Sequence, residues 1–279
     1  MTPPSFALQT GFADFAPRTV TLNGIPRTVY VAGGGPAVII LHELPGIGTH
    51  LLRFARWVRD AGFTVFIPSL FGVDGDEPSA EDGAKIFRRA CVNAEFRALG
   101  AGASSTVTMW LRALARLAHA ECGGPGVGAV GMCFTGNFAL TMMLETSVLA
   151  PVVAQPSLPF DVPDGLEIAP SDLIAIKSRL DREQLTVLAY RFAGDRYCTA
   201  ARFAAYSNAL GDRFVGHVLP DDAANLDDVP PFFATHVNFP HSVVTVHLVD
   251  EAGSPTLAAR DEIIAFLRQR LVHPSNAAP

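Results

Sequence analysis

In Val127-Gly128-Ala129-Val130-Gly131-Met132-Cys133-Phe134-Thr135-Gly136-Asn137-Phe138-Ala139-Leu140 an apolar run crosses a cysteine flanked by glycines and becomes a helical pattern. Val127–Val130 reads as a buried strand and Phe138–Glu145 as a helix, so Gly131-Met132-Cys133-Phe134-Thr135-Gly136 must turn the chain sharply between them. Such a turn is strained and packs against its neighbours, which is why it needs small residues around its apex. It lifts the apex side chain above the sheet and aims the following helix at it. A thiol in that place has its thiolate favoured by the helix dipole. The next backbone N–H, that of Phe134, points where an oxyanion would develop. Cys133 is therefore a candidate nucleophile. The alternative is one more buried structural cysteine, since free cysteine is among the most buried residue types. The order strand, Gly, Cys, Gly, helix favours the nucleophile, and no Gly-x-Ser-x-Gly competes with it.

Working outward, Val20–Leu22 and Arg27–Val31 flank Asn23-Gly24, a two-residue hairpin signal. Ala37–Leu41 and Thr64–Ile67 read as buried strands, with a helix over Leu51–Ala61 between them. Asp74–Gly83 is acidic and reads as an exposed loop leading into a helix, and Ser104–Ala120 is a second helix. Beyond the cysteine, Pro151–Ala154, Leu185–Phe192 and Phe214–Leu219 read as strands, Val243–Val249 as a further alternating segment, and Asp172–Leu180, Thr199–Leu210 and Pro255–Leu271 as helices. Strands alternating with helices of this length predict an α/β fold, a mostly parallel central sheet with helices on both faces.

The 279 residues are 49% hydrophobic and 17% charged with net charge −6, which argues for a substantial core and against nucleic acid as a partner. Four cysteines (Cys91, Cys122, Cys133, Cys198) without a C-x-x-C pair suit a reducing compartment. Met1–Thr10 carries no cationic start followed by an apolar stretch, and no run approaches a membrane span. The expectation is a soluble cytoplasmic protein with no membrane partner; oligomeric state is open.

The elbow resembles that of the dienelactone hydrolase family of α/β-hydrolases, as do two further stretches. Leu41-His42-Glu43-Leu44-Pro45-Gly46-Ile47 is similar to the family's early strand-end motif, and Ala193-Gly194-Asp195 to its acidic triad position. The likeness runs from about Val29 to the closing helix. With no internal repeat or low-complexity linker, a single α/β-hydrolase domain over 1–279 is the economical reading, with 1–15 an N-terminal extension, 221–240 an inserted loop that could cover the site, and 273–279 a frayed tail. Two departures stand out. Thr135 replaces the family's usual glycine two residues after the cysteine and must find room against a neighbouring strand. Glu251-Ala252-Gly253 is followed by Ser254, where the family has histidine.

A thiol nucleophile needs a base oriented by a third group, and in this fold the chain order is nucleophile, acid, histidine. Asp195 is the expected acid, with a helix-capping role near Thr199 as its alternative and Asp221 and Asp222 in reserve. His217 and His247 look like strand positions and His273 lies in the tail, which leaves His241, in Phe239-Pro240-His241-Ser242, as the expected base and His236 as its rival. The resemblance implies that Glu43 contacts Cys133 and holds the thiol in check until substrate displaces it. The alternative is a carboxylate serving the loop backbone or capping the helix near Thr49. Leu44 and Phe134 would supply the backbone oxyanion donors. The expected chemistry is ester or lactone hydrolysis of a small molecule through a thioester, with neither metal nor organic cofactor. Gly33-Gly34-Gly35 precedes a strand, the wrong place for a phosphate loop. A substrate carboxylate would call for a cation, and Arg88, Arg89, Arg97 and Arg196 are available. A broader carboxylesterase or thioesterase is the alternative enzyme, and a non-catalytic hydrolase-like binding protein the alternative of another class.

Overall fold

The computed structural model describes residues 11–96, 104–227 and 229–273. Arg97, the first ten residues and most of the expected tail therefore lie outside the described residues. Eight strands form one sheet in the order β1-β2-β4-β3-β5-β6-β7-β8. They are β1 Ala16–Leu22, β2 Ile25–Gly33, β3 Ala37–Leu41, β4 Thr64–Pro68, β5 Val127–Met132, β6 Val148–Ala154, β7 Val187–Phe192 and β8 Phe214–Leu219. The β1–β2 and β2–β4 pairs are antiparallel and the rest are parallel. Asn23 and Gly24 both hold positive φ, 51° and 78°, the geometry a two-residue hairpin between right-twisted strands requires.

Both faces of the sheet are covered, which explains why β3 and β5 are apolar throughout rather than alternating. The pleat sends Ile39, Leu41, Val127 and Ala129 to one core with α3 (Thr106–Cys122), α4 (Gly136–Thr141), α5 (Pro170–Arg182) and α6 (Ala200–Leu210). Val38, Ile40, Val130 and Met132 face the other core with α1 (Thr49–Asp60) and α8 (Pro255–Leu271). The expected helix over Phe138–Glu145 starts earlier, at Gly136, and tightens into a 3-10 turn at Met142–Leu144.

Two expectations change. Val243–Val249 is no strand but a turn. Its apolar residues are divided between two cores: Val243, Val244 and Leu248 enter the α1/α8 side, while Val246 joins a small cluster with Phe232, Phe233, Val237 and Phe239. A wedge between two apolar bodies produces the same alternation as a pleated strand. Segment 221–240, expected as a loop, carries α7 (Pro231–His236), which packs on α2 (Ala80–Val92). The contact is close because Gly83 leaves room for Phe232: a Cβ there would come within 2.5 Å of that ring.

The long connection after β6 has little regular structure and needs other partners for its backbone carbonyls. Arg202 of α6, with 1% exposure, supplies them. Its guanidinium donates to the carbonyls of Ser157, Pro159, Val162 and Gly165, and to that of Tyr197 near the next strand end. Replacing Arg202 by Met strands these acceptors in an apolar interior. We expect a loss of about 3 kcal/mol or more, read from urea midpoints; an unchanged midpoint would show that the carbonyl fan is dispensable.

Candidate active site

Cys133 sits directly after β5 with φ 52°, a left-handed backbone that a non-glycine residue adopts only when its surroundings impose it. The surroundings are tight. A Cβ on Gly131 would lie 2.4 Å from the Thr135 carbonyl oxygen, and one on Gly136 would lie 2.8 Å from Cα of Pro156. Thr135 is wholly buried and finds its room at the end of β3. Its Oγ1 accepts the Met132 N–H at 3.2 Å and lies 3.1 Å from the Leu41 carbonyl and 3.0 Å from that of Met132. The extra side chain thus ties the elbow to the strand from which His42-Glu43-Leu44 continues.

Asp195 follows β7 in a turn braced by Arg191, whose guanidinium donates to the carbonyls of Ala193 and Cys198. Its Oδ1 accepts the N–H groups of Tyr197 and Cys198, both at 2.9 Å, and its Oδ2 accepts Nδ1–H of His241 at 2.8 Å. Helix α6 is capped by Thr199 instead, which accepts the Arg202 N–H. The reserve acids are elsewhere: Asp221 accepts the Gly194 N–H, and Asp222 is exposed. The rival histidines also lie elsewhere. His236 is exposed and bonds the Ala80 carbonyl on α2, and His217 of β8 stacks on Tyr190 beside Glu262 of α8.

His241 is buried, 1% exposed, in the loop between α7 and α8. Burial opposes charge on its ring, but Asp195 and Cys133 outweigh that and raise its pKa well above the ordinary value. The loop is set by a residue that sequence reasoning assigned to a strand. Nδ1 of His247 accepts the backbone N–H of both His241 (3.0 Å) and Ser242 (2.9 Å). Burial and the neighbouring His241 push its pKa down to about 3, so it stays neutral and keeps its lone pair for those two donors.

Glu43, 5% exposed, accepts the Ser242 hydroxyl at 2.6 Å on one oxygen and the Thr245 hydroxyl on the other. Burial raises its pKa against the opposing pull of His241 and these hydroxyls. It does not cap α1, where the Thr49 N–H is taken by Glu77 at 3.0 Å. One carboxylate oxygen of Glu43, the sulfur of Cys133 and a ring nitrogen of His241 lie within 4.8 Å of one another. His42, next to Glu43, is a further residue that sequence reasoning missed. Its Nε2 accepts the Leu70 N–H at 3.0 Å, which leaves Nδ1 to donate to the Glu43 carbonyl at 3.2 Å. Burial pushes its pKa down to about 4. The missed residues share a signal only in hindsight: His42 is in the strand-end motif, and Ser242, Thr245 and His247 follow the expected base.

Aromatic rings surround the elbow. Phe134 meets Phe71, Phe96, Phe138 and Phe160 at centroid distances of 5.5, 5.4, 5.9 and 6.4 Å, and Tyr197 stands edge-on to His241 at 5.5 Å. Of the expected cations, Arg88 and Arg89 are exposed on α2, and Arg196 is exposed with its guanidinium over Phe239. No helix among the described residues is long and apolar enough to cross a membrane.

Two histidines held neutral set an acid response. Their folded pKa values, about 4 and about 3, lie below the ordinary 6.5, so the unfolded chain binds protons that the folded one refuses. Stability therefore falls as pH drops from about 6.5 towards 4. His241, whose pKa is raised, contributes fully throughout that window and adds no slope. Thermal midpoints across this range should decline, and His247→Gln should flatten the decline; identical slopes in both proteins would contradict the assignment.

Comparison with known proteins bears on the whole arrangement. Among solved structures, a Klebsiella pneumoniae protein proposed to be a dienelactone hydrolase superposes with a TM-score of 0.61 at 16% identity, over 91% of this chain and 99% of that one. The dienelactone hydrolase from Anabaena variabilis gives 0.55 at 14% identity, over 92% and 98%. An alpha-beta serine hydrolase homologue from Coxiella burnetii gives 0.52 at 10% identity, over 90% and 97%. At these identities the likeness is one of fold. No curated protein matches the sequence. The model of the dienelactone hydrolase family matches residues 24–171, more than half of the chain, from the β1–β2 hairpin through the elbow to the start of α5. The chain is an α/β-hydrolase belonging to the dienelactone hydrolase family.

Proposed function

We propose that this hydrolase cleaves small carboxylic esters or lactones with the Cys133 thiol as nucleophile, His241 as base and Asp195 as the orienting acid. The observation that carries the reading is the buried 2.8 Å Asp195–His241 hydrogen bond, which leaves the other imidazole nitrogen for the thiol and water. The Cys133 sulfur, its proton held by His241, attacks the carbonyl carbon. The oxyanion is met by the backbone N–H groups of Phe134 and Leu44. Collapse expels the alkoxide, protonated by His241, and leaves a thioester. Water then gives a proton to His241, attacks the thioester and releases the acid, and the sulfur leaves with that proton still on His241.

Glu43, beside the thiol and held by two hydroxyls of the His241 loop, is the group that restrains Cys133 before substrate arrives. A dienelactone would bring its own carboxylate, and the exposed placements of Arg88, Arg89 and Arg196 favour a second reading, a broader esterase for apolar acyl groups seated among the phenylalanines. The binding-protein alternative depended on a base remote from Cys133, which the position of His241 argues against.

Dienelactone and a short p-nitrophenyl ester should both be assayed with wild type, Cys133→Ala and Asp195→Asn. Wild type hydrolyses at least one, Cys133→Ala neither, and Asp195→Asn loses about 100- to 10,000-fold in kcat. Equal activity in wild type and Cys133→Ala would refute thiol catalysis. The preferred substrate separates lactonase from general esterase.

A further inference from the structure

The trio of Glu43, Cys133 and His241 has a second chemical capacity. A carboxylate oxygen, a thiol sulfur and an imidazole nitrogen, all buried and all within 4.8 Å of one another, are a mixed donor set of the kind that holds zinc. A Cys–His pair alone offers two ligands and holds such an ion weakly; the third donor makes a three-point site. In a tetrahedral zinc site with bonds of about 2.0–2.3 Å, ligand atoms stand roughly 3.3–3.8 Å apart, so side-chain adjustments of about 1 Å close the set.

The groups behind the donors are already those of a metal site. His241 gives its Nδ1–H to Asp195, the carboxylate–imidazole arrangement that fixes the tautomer and makes the other nitrogen a better ligand. Glu43 is aligned by the hydroxyls of Ser242 and Thr245. Apolar rings close in from the elbow side, where Phe134 and Tyr197 pack. A fourth position would be left for water.

We infer that Glu43, Cys133 and His241 together form a reversible inhibitory site for a thiophilic divalent cation, Zn²⁺ in the first place. Binding exchanges the thiol proton for the metal: the proton goes to solvent and a zinc–sulfur bond forms, with no change of oxidation state. Sulfur and imidazole are then engaged by the same ion, so neither can attack a carbonyl nor accept a proton. The inference shares the Cys133–His241 pairing with the proposed hydrolysis, but its main readout needs no turnover.

The experiment is titration of the protein with Co²⁺, whose thiolate charge-transfer band and intense four-coordinate visible bands report sulfur ligation directly. Wild type should bind one Co²⁺ with both features, and Zn²⁺ should displace it. Cys133→Ala should lose the charge-transfer band although Cys91, Cys122 and Cys198 remain. His241→Ala and Glu43→Gln should lose the four-coordinate visible bands, and Ser242→Ala, which only frees one Glu43 oxygen, should bind about tenfold more weakly. Circular dichroism of each variant establishes that it is folded. No cobalt–thiolate band in wild type overturns the inference, as does a band that persists in Cys133→Ala or is unchanged in folded His241→Ala and Glu43→Gln. In parallel, Zn²⁺ should suppress ester hydrolysis and EDTA restore it. The cobalt pattern without any hydrolysis leaves the metal site standing and the proposed function refuted; thiol-dependent hydrolysis without the cobalt pattern does the reverse.

Discussion

The left-handed backbone of Cys133 is the constraint from which the rest of the site follows. A non-glycine residue at positive φ carries strain of order 1–3 kcal/mol and persists only where its surroundings leave no alternative. Those surroundings are the parallel register of β5 between β3 and β6, the close approach of Gly131 and Gly136 to neighbouring backbone, and the Thr135 hydroxyl at the end of β3. The reward for this strain is position. The thiol stands at the carboxyl ends of the strands, where β3 delivers Glu43, β7 delivers Asp195, and the chain beyond α7 delivers His241.

Polar groups buried together at such a junction are costly unless partnered, and the two carboxylates here are engaged on both oxygens. Asp195 divides its oxygens between two backbone donors and one imidazole. Glu43 divides its own between two hydroxyls of the turn that carries His241. His42 and His247 take no part in the proposed chemistry but hold the backbone of the two loops that do, each as a neutral ring. The loop that carries Glu43 and the turn that carries His241 are thereby joined by two hydrogen bonds. Arg202 and Arg191 perform the corresponding service for carbonyl groups, fixing the segments after β6 and β7.

Much of this was legible in the residues because local chemistry and global fold agree. The strand–Gly–x–Cys–x–x–Gly–helix order forces a tight turn whatever surrounds it, and the two-sided burial of β3 and β5 shows as unbroken apolar runs. The expectation of Asp195 rested on its place after a strand, and that of His241 on setting aside histidines in apolar or remote contexts; the two residues are hydrogen-bonded. The errors arose where tertiary partners, not neighbours in sequence, decide the conformation. Val243–Val249 alternates like a strand because it is wedged between two apolar clusters, and its polar members, Thr245 and His247, face a carboxylate and a backbone that lie far away or around the turn. Segment 221–240 has few helical cues of its own, and α7 gains its context only from α2, where the absence of a side chain at Gly83 admits Phe232. Thr135 read as an intrusion into a turn that wants glycine; its hydroxyl proved to be a tether to β3.

In the proposed reaction the acyl group of the substrate passes through a covalent bond to Cys133. The most direct test mixes the protein with a short p-nitrophenyl ester, quenches in acid within the first turnovers and weighs the intact chain and its peptides by mass spectrometry. The mass should increase by one acyl group, located on the peptide containing Cys133 and removed by hydroxylamine. Released p-nitrophenol with no acylated chain, or an acyl group on any residue other than Cys133, would contradict it.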